Sequence, residues 1–245
     1  MRRGMGPIIR ATLLEAVRRR EMGVVLILMG AMLALLLAAR VVGLERPAAG
    51  TLLLNLGLTL TVMAAHLVTL LVAARQLPQE MEQRTLYPLL ARPIARHVMV
   101  GAKWAAAAVV GTGFFYLFVL PVWWLVPRLE CYDSRTLVQL LVLQPPALML
   151  TAAIAILTSV YLPRALAVTV ALLVVFGTDY IVRWATRWPV LVWIPNPMRL
   201  NLVLRYTDGI GPLSSVEFAA LATWTLLWTA ALLGQAMLRF ERRPL

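Results

Sequence analysis

The chain has 245 residues, of which 61% are hydrophobic and 14% charged, with a mean hydropathy of +0.82 and a formal net charge of +12. A water-soluble domain of this size could not carry that balance without exposing large apolar patches. The composition therefore excludes a soluble enzyme or binding module and predicts an all-α integral membrane protein.

A membrane-crossing helix needs about 20 apolar residues at a rise of about 1.5 Å each. Six segments qualify, approximately Met22 to Leu44, Thr51 to Ala74, Val98 to Val126, Leu137 to Tyr161, Ala165 to Trp184 and Val216 to Leu238. Nothing between them is long enough for a soluble domain, so residues 1–245 read as one six-span unit. Ahead of the first span, residues 1–21 read as a cytoplasmic elbow helix. Pro7 suits a first helical turn, and Ile9, Leu13, Ala16 and Val17 share a face opposite Arg10, Arg18 and Arg19. Its apolar continuation is too long for a signal-peptide core, so a retained first span is expected.

Glu45 to Gly50 reads as a short hairpin containing Pro47. Along the second span, Thr51, Asn55, Thr59, His66 and Thr69 fall within a sector of about 80° when plotted at about 100° per residue. A polar stripe on a membrane helix faces protein or water rather than lipid. Two readings fit it: Asn55, Thr59, His66 and Thr69 line a translocation route, or they pack helices together. The stripe is polar and nearly uncharged, which suits an amphipathic or lipid-linked cargo better than a highly charged one.

Between the second and third spans lies a charged island, Pro78 to Trp104, with its cytoplasmic loop at residues 75–97. Pro78 is expected to open a helix to about Ala91, with Glu80 and Glu82 in its first turn and Arg92 and Arg96 towards its far end, before Pro93 ends it. Met81, Thr85, Leu86, Leu89 and Leu90 would form its apolar surface, fit for a partner's groove or for lipid.

The loop from Pro127 to Thr136 is short and contains the only cysteine, Cys131. In the fourth span, Pro145 and Pro146 are expected to break or kink the helix, with Gln139 and Gln144 available to meet the freed carbonyls. The connection at 185–215 is long and holds Trp188, Trp193, Pro195 and Pro197, which favours short interfacial or re-entrant helices over disorder. With both termini cytoplasmic, most Lys and Arg residues fall inside, including Arg18, Arg19, Arg20, Arg92, Arg96, Arg239, Arg242 and Arg243. The net charge thus reports topology and attraction to anionic lipid, not nucleic acid.

The island E-x-E-x-R-T-L-x-x-L-L-A-R-P-x-x-R followed by V-x-G-A-K resembles the cytoplasmic loop of the permease subunits of type-2 ABC exporters. The matching positions are Glu80, Glu82, Thr85, Leu86, Leu89, Leu90, Pro93, Arg96, Gly101 and Lys103. Arg84 stands where glycine is often found, and Ala102 separates Gly101 from Lys103, which are more often adjacent. Six spans, a basic lead-in helix and a long last outer loop are also similar to that family.

The resemblance implies that a coupling helix at Glu80, Glu82, Arg84, Thr85, Leu86, Leu89, Leu90, Arg92, Pro93 and Arg96 docks on a separate ABC ATPase subunit. It also implies a second permease subunit, in a homodimer or heterodimer, and the cytoplasmic membrane of a bacterium or archaeon. ATP and Mg²⁺ would be bound by the partner, with no cofactor in this chain and no catalytic residues. The chain has no G-x-x-x-x-G-K-[ST] of its own.

Other chemistries find less support. Glu80 and Arg84 match the E-x-x-x-R spacing of intramembrane glutamate proteases, but only His66 and His97 could assist. There is no G-x-S-x-G element for a serine nucleophile, and two distant histidines with one cysteine make no metal site. A channel, a secondary carrier and a membrane scaffold remain alternative readings of the same six spans. The topology predicts that a membrane-impermeant maleimide labels Cys131 in intact cells; labelling only after permeabilisation would reverse the assignment.

Overall fold

The computed structural model describes residues 10, 11, 14, 15, 20–41, 47–82, 96–125, 133–184 and 193–242. The long helices are α1 (Arg20–Val41), α2 (Pro47–Glu82), α3 (Arg96–Leu125) and α4 (Ser134–Tyr161). They are followed by α5 (Arg164–Leu172), which continues through a wider π-helical turn at Leu173–Gly177 into α6 (Thr178–Trp184). A 3₁₀ turn at Pro197–Leu200 and the short α7 (Val203–Thr207) lead to α8 (Ser215–Glu241). No strand occurs among the described residues.

Among the described residues, five helical stretches are long and apolar enough to cross a membrane: Gly50–Pro78, Arg96–Trp124, Ser134–Tyr161, Arg164–Ile181 and Ser215–Glu241. The apolar stretch of α1, Met22–Ala38, is shorter. The chain is a helical integral membrane protein. Its centre is α2 and α4: α2 packs against α1, α3, α4, α5 and α7, while α4 packs against α2, α3, α5, α7 and α8. Burial follows this order, since 67% of the apolar window of α4 is enclosed but only 17% of that of α8. The outer helices therefore keep broad apolar faces for lipid or another chain.

Small residues let the central helices approach closely. Gly57, Thr61, Ala65, Thr69 and Ala73 recur every four residues along α2, and all are buried. The Thr61 hydroxyl donates to Gly57 O at 2.8 Å and the Thr69 hydroxyl to Ala65 O at 2.7 Å, so neither needs a partner outside its own helix. A Cβ built on Gly57 would stand 2.8 Å from Val122 Cγ1, and one on Gly111 would overlap Thr69 Oγ1. Only hydrogen fits at these two crossings of α2 and α3.

The prolines behave differently from the sequence expectation. Pro47 opens α2 instead of sitting in a hairpin, as a residue without an N–H can do in a first turn. Pro78 does not start a new helix, because α2 runs through it for 36 residues, about 54 Å. That exceeds a hydrocarbon core of about 30 Å, and the apolar part of α2 runs over Gly50–Pro78. Pro145 and Pro146 do not break α4, which is helical on both sides of them.

The carbonyl that Pro145 leaves free, Leu141 O, accepts from the Tyr116 hydroxyl of α3 at 2.9 Å. Gln139 and Gln144 are engaged elsewhere. Gln139 clamps the chain before α8, its Nε2–H donating to Leu213 O at 2.9 Å and its Oε1 accepting from Leu213 N at 2.7 Å.

The described part of the long connection after α6 forms a 3₁₀ turn and a short α-helix, with Met198, Leu200, Val203 and Tyr206 buried. The 3₁₀ turn and α7 pack on α4, and α7 also on α2, so this segment closes one end of the bundle. Of the elbow, only 10, 11, 14, 15, 20 and 21 are described; all are helical, and Arg10, Ala11, Leu14 and Glu15 are exposed. Ile9, Leu13, Ala16 and Val17 lie outside the described residues, as does Cys131.

The crossing of α2 and α3 generates a test. Gly111→Ala is expected to destabilise the fold by about 1–3 kcal/mol, the usual cost of overpacking, with partial rescue by Thr69→Ala. Gly113→Ala, where a Cβ meets nothing within 4 Å, should be tolerated. Circular-dichroism melting in micelles reads all three.

Candidate functional site

The polar stripe of α2 divides between two environments. Asn55 and Thr59 are half-buried and bonded to each other, the Thr59 hydroxyl donating to Asn55 Oδ1 at 3.1 Å. Thr51 is likewise half-buried. His66 and Thr69 have no exposed surface. Thr69 lies on the seam with α3, whereas His66 turns to α4. Thr51, Asn55 and Thr59 are the members of the stripe that keep exposed surface.

His66 occupies the middle of the α2 span and is bracketed by two residues of α4. Gln144 and Thr151 are seven apart, two helical turns, and so project from the same face of α4. The Thr151 hydroxyl donates to Ala147 O at 3.0 Å, which commits its only proton. His66 Nδ1–H therefore donates to Thr151 Oγ1 at 2.7 Å. Nε2 is then an acceptor and receives a Gln144 amide N–H at 3.0 Å.

This pattern is that of a neutral imidazole with its proton on Nδ1, and it dictates which way the Gln144 amide points. Gln144 Oε1 is buried and accepts no hydrogen bond among the described residues. Turning the amide to present Oε1 would place two acceptors face to face unless Nε2 carried a proton. The cluster ties α2 to α4 beside Pro145 and Pro146, where α4 lacks two of its own hydrogen-bond donors. Trp104 adds a bond from α3, its Nε1–H donating to Met149 O at 3.0 Å.

A second polar group gathers where α3 begins and α8 ends. Arg96 Nη1–H donates to Glu241 O at 3.2 Å, and His97 Nδ1 pairs with Glu241 Oε1 at 2.8 Å. The start of α3 is thus tied to the last residue of α8. Arg239 lies over the Tyr161 ring with its guanidinium carbon 5.5 Å from the centroid, which brings the end of α4 to the same end of the bundle. The start of α3 and the ends of α4 and α8 thus lie at one end of the bundle.

Of the proposed coupling residues, Glu80 and Glu82 lie in the last turn of α2 and Arg96 opens α3. Arg84, Thr85, Leu86, Leu89, Leu90, Arg92 and Pro93 lie outside the described residues. Gly101 and Lys103 are in α3, and Lys103 is 2% exposed, inside the bundle instead of in a loop.

Thr151, Tyr116 and Glu241 were not singled out by sequence reasoning. A buried threonine inside an apolar run and a tyrosine within a span carry no pattern of their own, and Glu241 read as part of a basic tail. One signal was available: a carbonyl freed by proline needs a donor, and Tyr116 is a hydroxyl within a neighbouring span. No three His, Cys, Asp or Glu side chains come together as a metal site among the described residues.

His66→Ala and Gln144→Ala should each destabilise the bundle, and a double-mutant cycle between them should return about 0.6 kcal/mol of coupling, the average for hydrogen bonds between membrane helices. Strict additivity would show that the bond between them contributes nothing.

The chain matches no protein-family profile and no curated protein.

Proposed function

We propose that this chain is the permease subunit of an ATP-driven exporter of the type-2 ABC kind, working as a dimer with separate ATPase subunits. The reading includes α1 as the sixth crossing, an elbow helix before it and both termini in the cytoplasm of a bacterium or archaeon. The observation that carries it is the sequence motif from Glu80 to Arg96, which begins in the last turn of α2 and ends at the first residue of α3. Support also comes from α2 itself, which at 36 residues is longer than a hydrocarbon core and ends with Glu80 and Glu82 in its last turn.

In this reading, closure of the ATPase dimer pushes on the segment after Glu82. The force enters the bundle by two rigid routes: α2, which packs on most of the other helices, and α3, whose first turn is bonded to the end of α8. Asn55 and Thr59, which keep partial exposure, face the route between the two subunits. ATP and Mg²⁺ stay with the partner, so the chain performs no hydrolysis itself.

The test is reconstitution with a cognate ATP-binding subunit in vesicles. Glu82→Lys is expected to lower permease-stimulated ATP hydrolysis at least tenfold while melting in micelles is unchanged. Reversing Arg96 is a poorer probe, because its guanidinium also holds Glu241. Substrate movement without any ATPase would favour a channel or secondary carrier. Partner binding without movement would favour a scaffold.

A further inference from the structure

The outer face of α8 carries a groove of about 530 Å³ at its Glu241 end, bounded on the other side by Tyr161. Its upper part is floored by Ala230, Ala231 and Gly234, and a Cβ on Gly234 would meet nothing within 4 Å, so the notch is open to the membrane. Its lower part is polar, lined by Gln235, Arg239 and Arg242, all exposed. One face of one helix thus passes from a smooth apolar trough to a pair of cations.

Both cations are available. Glu241, the adjacent acid, is turned towards α3, where His97 and Arg96 hold its side chain and carbonyl. Neither Arg239 nor Arg242 meets a carboxylate among the described residues. Arg239 is steadied over the Tyr161 ring, an arrangement that leaves the N–H edges of the guanidinium free. Gln235 makes no hydrogen bond among the described residues and stands one turn above Arg239 on the same face.

We propose that this groove is a binding site for an anionic phospholipid. The phosphate sits between Arg239 and Arg242, the Gln235 amide donates to the headgroup or the ester oxygens, and an acyl chain lies along Ala230, Ala231 and Gly234. Charge complementarity selects the anionic headgroup, since a basic cleft at the inner membrane surface attracts it and two unpaired arginines give a zwitterionic lipid no comparable return. The site stands whether or not an ATPase drives the chain. Its occupant would touch the end of α8 that is bonded to the first turn of α3.

The test uses the purified chain in nanodiscs of mixed phosphatidylglycerol and phosphatidylcholine, followed by native mass spectrometry of the released protein. Phosphatidylglycerol is expected to be retained in excess of its share of the bilayer. Arg239→Gln should lower its affinity about fivefold and the double change with Arg242→Gln about 25-fold, given the usual contribution of a cation at an anionic surface. Arg164→Gln, which loses the same charge outside the groove, should leave retention unchanged.

Gly234→Leu should displace the lipid by filling the trough. Equal retention of the two lipids would overturn the proposal, as would an Arg164→Gln effect as large as that of Arg239→Gln. Displacement by millimolar inorganic phosphate would also overturn it. So would a Gly234→Leu variant that turns a dimer into a monomer without losing phosphatidylglycerol, because a second copy would then occupy the groove.

Discussion

Inside a bilayer, lipid tails are as apolar as leucine, so burying one apolar helix face against another gains little from the hydrophobic effect. The association of these helices depends instead on close contact, and the contact of α2 with α3 sets the rest. Gly57 and Gly111 bring the two backbones together, and the hydroxyls between them are folded back onto their own helix. With α2 held there, its remaining faces receive α4, α1 and α5. Van der Waals contact at this range is individually weak and collectively decisive.

Polar groups in the same bundle face a stricter rule, since each must find a partner within protein. Pro145 and Pro146 remove two donors from α4, and the fold answers with side chains from other helices. Tyr116 serves Leu141 O, while His66 is locked between Gln144 and Thr151 a short distance along the same helix. The weak part of α4 is thus the part most heavily bonded to its neighbours. The two prolines leave α4 its helical path but make that path conditional on α2 and α3.

The two ends of the bundle are built differently. At one, the short helices after α6 bury Leu200 and Val203 on the bundle, and Gln139 fixes the entry to α8. At the other, long helices stop in a cluster of charges, and ties between α3 and α8 run through exposed side chains. Exposed side-chain ties of this sort contribute little to stability and can be exchanged for other partners.

The sequence by itself determined the class of protein, because apolar runs of about 20 residues have few other uses, and it placed most helices within a few residues of their bounds. It also showed that α2 carries polar side chains on one side. What it did not determine was how the prolines and the polar residues are used. Pro78 and Pro47 read as punctuation, yet both sit in α2, because a missing donor is harmless in a first turn and tolerable where the helix packs on others. A helical projection groups His66 with Asn55, yet His66 is enclosed by α4 and Asn55 is not. Angle around a helix is a local property, whereas the partner at each angle is chosen by where Gly57 and Gly111 let another backbone come close. That choice joins residues far apart in the chain, and only the tertiary structure makes it.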